Sequence, residues 1–120
     1  MRIVVDLDGT ICPIRQEGEK YENLVPYPGA IEKLKSLHDS GIVIIIQTAR
    51  NMETQKSNVG RVMKNIGKVT LDWLEKYGVP YDEIYFSKPN ADLYIDDRAF
   101  RFSSWDAIDH NTILENAKKK

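Results

Sequence analysis

The chain has 120 residues, 42% of them hydrophobic and 29% charged, which describes one compact domain with a real core and excludes a disordered chain. Its net charge of −1 gives no basic field for nucleic acid or an anionic membrane. The longest apolar run, Ile42 to Ile46, is too short to span a bilayer.

Ile3-Val4-Val5 is a β-branched run that ends at Asp6-Leu7-Asp8-Gly9 and reads as a buried strand. Residues 11–28 hold Pro13, Pro26 and Pro28 around a charged patch and read as a loop or small flap. A helix follows Pro28-Gly29, with Ile31, Leu34, Leu37 and His38 on one stripe, and Gly41 stops it. Ile42 to Ile46 is the second strand and leads into Gln47-Thr48-Ala49-Arg50. The polar stretch 51–66 has no assignment. Val69, Trp73 and Tyr77 mark a helix over 69–77 that Gly78 caps. Glu83 to Phe86 is the third strand and Leu93 to Ile95 the fourth, followed by Asp96-Asp97. A fifth strand near Phe100 to Phe102 and a helix near Thr112 to Lys119 close the chain, and Lys118-Lys119-Lys120 reads as its frayed, solvated end.

This alternation predicts a single domain over residues 1–120: a Rossmann-like α/β/α three-layer sandwich. Its sheet is mainly parallel, with helices on both faces and no separate cap domain. Ligands in such sheets bind at the carboxyl ends of the strands. Asp6 and Asp8 follow the first strand, Thr48 ends the second, Lys88 follows the third and Asp96-Asp97 follow the fourth. Each has an ordinary structural explanation taken singly: a turn, a strand-end hydroxyl, a solvated cation, a helix cap. Their convergence on one edge favours a site.

Four carboxylates in one crevice cannot all stay ionised without a cation. All-oxygen ligands with no nearby His or Cys select a hard ion, and Mg²⁺ fits best. A metal, the Lys88 ammonium and the Thr48 hydroxyl together form an inventory for binding a phosphoryl group. No Walker-type glycine loop is present, so a P-loop nucleotide site is excluded.

Asp6-Leu7-Asp8-Gly9-Thr10, Thr48, Lys88 and Asp96-Asp97 resemble, in identity, order and placement, the four motifs of the haloacid dehalogenase-like phosphatases. The stretches QTARNMETQKSNVGRV, TLDWLEKYGVPYDEIYFSKP and LYIDDRAF extend the resemblance to the small capsule biosynthesis phosphatases. The resemblance implies that Asp6 is the nucleophile and forms an aspartyl-phosphate. Asp8 would be the acid for the leaving oxygen and then the base for water. Thr48 and Lys88 would hold phosphoryl oxygens. Mg²⁺ would sit on Asp6, the carbonyl of Asp8 and Asp96, with Asp97 as a further ligand. The implied substrate is a phosphorylated sugar or polyol of capsule or surface polysaccharide synthesis. The implied site is open, for a bulky substrate or for an oligomer or partner that covers it.

Arg50 and Asn51 are candidates for contact with the substrate's leaving group, against an equal expectation of a loop salt bridge; Arg61 is a weaker candidate. Cys12 lacks an arginine six positions on, where Gly18 stands, so it is read as packing and not as a nucleophile. His38 and His110 have no ligand-spaced neighbours and read as structural. One cysteine permits no internal disulfide, and no signal-peptide pattern follows Arg2, so a cytoplasmic setting is expected. The competing functions are a phospho-accepting receiver-like domain, a sugar phosphomutase and a binding module without turnover.

Overall fold

The computed structural model describes residues 1–52, 56 and 58–117. Three parallel strands form the sheet in the order β1-β2-β3: β1 Arg2–Asp6, β2 Val43–Gln47 and β3 Glu83–Tyr85. Ile3 pairs with Ile44, Val5 with Ile46 and Ile46 with Ile84, which puts the β-branched residues of the first two strands in register. Parallel neighbours need crossover connections, and the helices supply them. Helix α1 is Ala30–Asp39; α2 Val59–Val62 runs through a π-helical turn, Met63–Gly67, into α3 Lys68–Tyr77; α4 is His110–Ala117.

α1 begins after Gly29 (φ 83°), where a left-handed turn swings the chain out of Pro28. Its Ala30, Leu34 and Leu37 are buried against Val5, Ile44 and Ile46. α3 ends at Gly78, whose φ of 65° lets its N–H reach back to the carbonyls of Glu75 and Leu74. Trp73 and Leu74 fill the same core, and the Trp73 indole donates to the carbonyl of Leu24 at 2.7 Å. That bond ties the loop after β1 to α3 and satisfies a donor that burial would otherwise leave unpaired.

The helix before α3 starts earlier than the pattern from Val69 suggests. Asn58 caps it, its side chain accepting from the Arg61 N–H at 3.1 Å, and Val62 and Ile66 extend the buried stripe of Trp73 backward. A methyl group on Gly67 would stand 3.1 Å from Cε of Met63, so the π turn packs closely on itself. The earlier part of the unassigned stretch, 53–55 and 57, lies outside the described residues, as do 118–120 at the end of the last helix.

The expected α/β domain with a parallel sheet is present. Ile3, Val5, Ile44, Ile46 and Ile84 face a core to which α1, α3 and α4 all contribute. On the opposite face of the sheet Val4, 60% exposed, and Tyr85 meet solvent while the central Ile45 between the outer strands is buried. The fourth and fifth strands are not formed. Residues 93–102 run without strand pairing, and Ile95 is 93% exposed. Here the Tyr94 hydroxyl donates to the carbonyl of Pro89, and the Lys88 ammonium lies 4.6 Å from the centre of the Tyr94 ring. These contacts join the segment to its own entry loop, and β1 stands at the edge of the sheet. No helix among the described residues is long and apolar enough to cross a membrane.

Candidate functional site

The chain leaves β1 by wrapping around one carbonyl. The Leu7 oxygen accepts from the N–H groups of Thr10, Ile11 and Cys12 at 2.9–3.2 Å. Gly9, at φ 89°, makes the reversal and donates its N–H to the Cys12 carbonyl. Leu7, Ile11 and Cys12 are fully buried. Alternation along the extended backbone therefore turns Asp6 and Asp8 away from the core together. Buried anchors on either side explain how two carboxylates can stand two residues apart at a strand end.

The carboxyl end of β2 brings up the next pieces. Thr48 N–H donates to the Tyr85 carbonyl at 2.9 Å, and the Thr48 carbonyl accepts from Lys88 N–H at 3.2 Å. These two bonds carry the β2–β3 pairing past the last strand residues and deliver Lys88 to the end of β1. Its Nζ stands 3.2 Å from Oδ1 of Asp6. On the other oxygen of Asp6, Thr10 Oγ1 donates at 3.4 Å, a long contact.

Asp8 has a different partner. Arg50 Nε donates to its Oδ2 at 2.8 Å and Arg50 Nη2 to its Oδ1 at 2.9 Å, a parallel fork-to-carboxylate pair. The Arg50 side chain is 1% exposed and that of Asp8 is 21% exposed. A guanidinium this deep needs its remaining donors answered. Nη1 donates to Thr70 Oγ1 at 3.0 Å, and the Tyr21 ring lies 4.2 Å from the guanidinium carbon. The Arg50 N–H donates to Thr48 Oγ1 at 3.1 Å. Among the described residues no buried side-chain nitrogen or oxygen is left without a partner.

The structure thus brings Asp6, Asp8, Thr48, Arg50 and Lys88 to one strand-end crevice. Thr48 is fully buried, whereas Asp6, Asp8 and Lys88 keep part of their side chains exposed and are the ones a ligand can reach. Of the two expectations for Arg50, the salt bridge is present: its guanidinium pairs with Asp8 and donates to Thr70. Asn51 follows in a left-handed turn (φ 59°), half-buried, at the rim of the same loop. Arg61 is exposed on α2.

Asp96 and Asp97 are not part of this group. Both are exposed, and Asp96 Oδ1 accepts from the Arg98 N–H at 2.7 Å, a local turn. Among the described residues no three His, Cys, Asp or Glu side chains are gathered as a metal site. The expected set of Asp6, Asp8, Asp96 and Asp97 is therefore not assembled in this arrangement. The charges of Asp6 and Asp8 are met instead by Lys88 and Arg50. The residues as placed do not fit a magnesium ion.

Thr70 and Tyr21 are the contributors that motif reading misses. Thr70 lies on the buried stripe of α3, three residues before Trp73, and a hydroxyl on such a stripe signals a buried polar partner. Tyr21 lies in a charged loop and gives no comparable signal. Cys12 touches the pair as well, with Arg50 Nη2 3.9 Å from its sulfur. Burial, above all, and then the negative charge of Asp8 push its thiol up from the ordinary value of 9.0 to about 12. It is a neutral packing group, as the sequence suggests.

No protein-family model and no curated protein matches the chain. Among solved structures, the crystal structure of an MCSG target from Vibrio cholerae superposes with a TM-score of 0.85 at 38% sequence identity. The match covers 98% of this chain and 97% of that one. Identity at that level over the full length of both shows common descent as well as a common fold, and the chain belongs to the same family as this Vibrio cholerae protein.

Proposed function

We propose that the protein is a phosphomonoester hydrolase that works through Asp6. The observation that supports this best is the contact between Asp6 and Lys88 at the carboxyl end of the sheet. A carboxylate alone is a poor nucleophile toward an anionic phosphate because like charges repel. An ammonium 3.2 Å away removes that repulsion and gives the transferring oxygens a counter-charge. Asp6 is part-exposed, so it can be reached.

In this reading Asp6 attacks phosphorus in line while the P–O bond to the leaving group breaks, giving an aspartyl-phosphate. Asp8, entering this step in its protonated form, gives that proton to the departing oxygen and is left as the carboxylate. A water molecule then attacks phosphorus and passes its proton back to Asp8, and the P–O bond to Asp6 breaks to release phosphate. The resemblance of the DLDGT, Thr48 and Lys88 motifs to the haloacid dehalogenase-like phosphatases supports the same chemistry. Its extension to the capsule biosynthesis phosphatases favours phosphorylated sugars and polyols as substrates, and a further layer on the open face of the sheet.

The test is phosphate release from sugar, polyol and nucleotide monophosphates, with and without Mg²⁺, using Asp6→Asn as the blank. Release above that blank from at least one class is expected. Equal release by wild type and Asp6→Asn overturns the nucleophile. An aspartyl-phosphate that accumulates on the wild type without phosphate release replaces hydrolysis by a phospho-acceptor role. Transfer of the phosphate within a sugar, in place of its release, identifies a mutase.

A further inference from the structure

We propose that Arg50 is the positioning residue of this site: it acts through Asp8 and holds that carboxylate where it can pass a proton to and from the phosphoryl group's oxygens. The inference rests on the hydrolase reading above.

The geometry carries it. Arg50 Nε and Nη2 grip both oxygens of Asp8 at 2.8 and 2.9 Å, so rotating the carboxylate or swinging it away breaks this fork. The fork uses one lone pair on each oxygen; Cys12 Sγ also donates to Oδ1 at 3.6 Å, so the second lone pair of Oδ2 is the one open to a proton. Asp8 keeps a 21% exposed edge toward the crevice while the Arg50 side chain is almost entirely enclosed, 1% exposed. One member of the pair meets the ligand and the other does not.

The arginine is itself held from three further directions. Thr70 Oγ1 on α3 accepts from Nη1 at 3.0 Å. The Tyr21 ring, from the loop after β1, stacks 4.2 Å from the guanidinium carbon. The backbone N–H of Arg50 is fixed by Thr48 Oγ1 at 3.1 Å. Any nearby cation could attract an Asp8 carboxyl group on a strand-end loop. Only a planar, bidentate donor braced on its far side also fixes its orientation. A lysine would bring the charge without the fork.

Position matters most where a proton must move. An alkyl phosphate loses a strongly basic alkoxide and needs the acid, whereas a nitrophenyl phosphate loses a stable phenolate and does not. Misplacing the acid should therefore slow the first class and spare the release of nitrophenolate. A residue that merely supports the fold would lower both alike.

The experiment compares wild type, Arg50→Lys and Thr70→Val on an alkyl monophosphate and on p-nitrophenyl phosphate. Thermal unfolding of each is followed in parallel. For Arg50→Lys, kcat on the alkyl ester is expected to fall about 100-fold with KM within about twofold, the scale of a misplaced proton donor. The pre-steady-state burst of nitrophenolate should stay within about threefold of wild type, because that step needs no proton. Thr70→Val loosens the brace and should show the same selectivity to a smaller extent.

A loss in the nitrophenolate burst rate equal to the loss in kcat on the alkyl ester, or no loss in either, overturns the positioning role while leaving Asp6 hydrolysis standing. Wild-type turnover no higher than that of Asp6→Asn overturns the hydrolase reading itself, and the role of Arg50 with it.

Discussion

The indole Nε1 of Trp105 donates to the carbonyl oxygen of Thr10 across 2.7 Å, joining positions 95 residues apart in the chain. Trp105 is buried, with Phe102 tilted against it at 5.4 Å between ring centroids. A methyl group on Gly29 would stand 3.5 Å from its Cβ. The C-terminal part of the chain thus returns to brace the loop that carries Asp6, Asp8 and Thr10. Thr10 in turn donates to Asp6, so the brace lies one residue from the crevice.

Trp105→Phe keeps an aromatic ring and removes the donor. The Thr10 carbonyl is then left without its partner, and a loss of about 1–3 kcal/mol is expected. Urea denaturation checks it through a lower midpoint at unchanged slope. An unchanged midpoint would mean that water replaces the indole without cost.

Much of this framework is legible in the sequence because it depends on local rules. β1, α1, β2 and α3 follow from runs of β-branched residues, from apolar spacing and from stop residues such as Gly41 and Gly78, both at positive φ. The clustering of Asp6, Asp8, Thr48 and Lys88 follows from parallel strands ending at one edge. What Arg50 does is less legible, because its partners, Asp8 and Thr70, are 42 and 20 residues away. Only packing shows that it points inward. Leu93 to Ile95 has the composition of a strand, yet composition does not reveal that Tyr94 bonds back to Pro89 and Lys88.

That difference is open to measurement. Ile95→Ser removes a large apolar side chain that is 93% exposed. Its cost should stay within about 0.5 kcal/mol, the range for surface substitutions. Ile46→Ser, in the enclosed second strand, serves as the contrast and should destabilise strongly, because it leaves a cavity and buries a hydroxyl. A cost for Ile95→Ser of about 2 kcal/mol or more would show instead that this segment is buried as a strand in solution.

Cys12 gives a second check on the enclosed side of the Arg50–Asp8 pair. Its thiol is pushed up to about 12, chiefly by burial and then by the charge of Asp8. Thiolate is the reactive form, so the native protein should resist a thiol reagent at about pH 8. Full modification is expected only in concentrated guanidinium chloride. Rapid labelling of the folded protein would show that the loop from Leu7 to Cys12 opens readily.

Asp82 sets the sign of the acid response on the opposite side of the fold from the crevice. Its Oδ2 accepts from the Ile44 N–H at 2.8 Å and its Oδ1 lies 3.2 Å from His38 Nε2. The backbone bond to Ile44 first, then the bond to His38, hold its carboxyl below the ordinary value of 3.8. A carboxyl depressed in the folded state adds stability above its unfolded value, and that stability is lost as the pH falls through the folded value. Asp82→Asn keeps the shape and an acceptor oxygen while removing the charge. The melting temperature of wild type should therefore exceed that of Asp82→Asn near neutrality, and the gap should close as the pH drops below 3.8. Melting curves from about pH 7 down to about pH 2 measure this directly. A gap that stays constant over that range would show that the carboxylate's charge contributes nothing, and that the hydrogen bond to Ile44 acts by geometry alone.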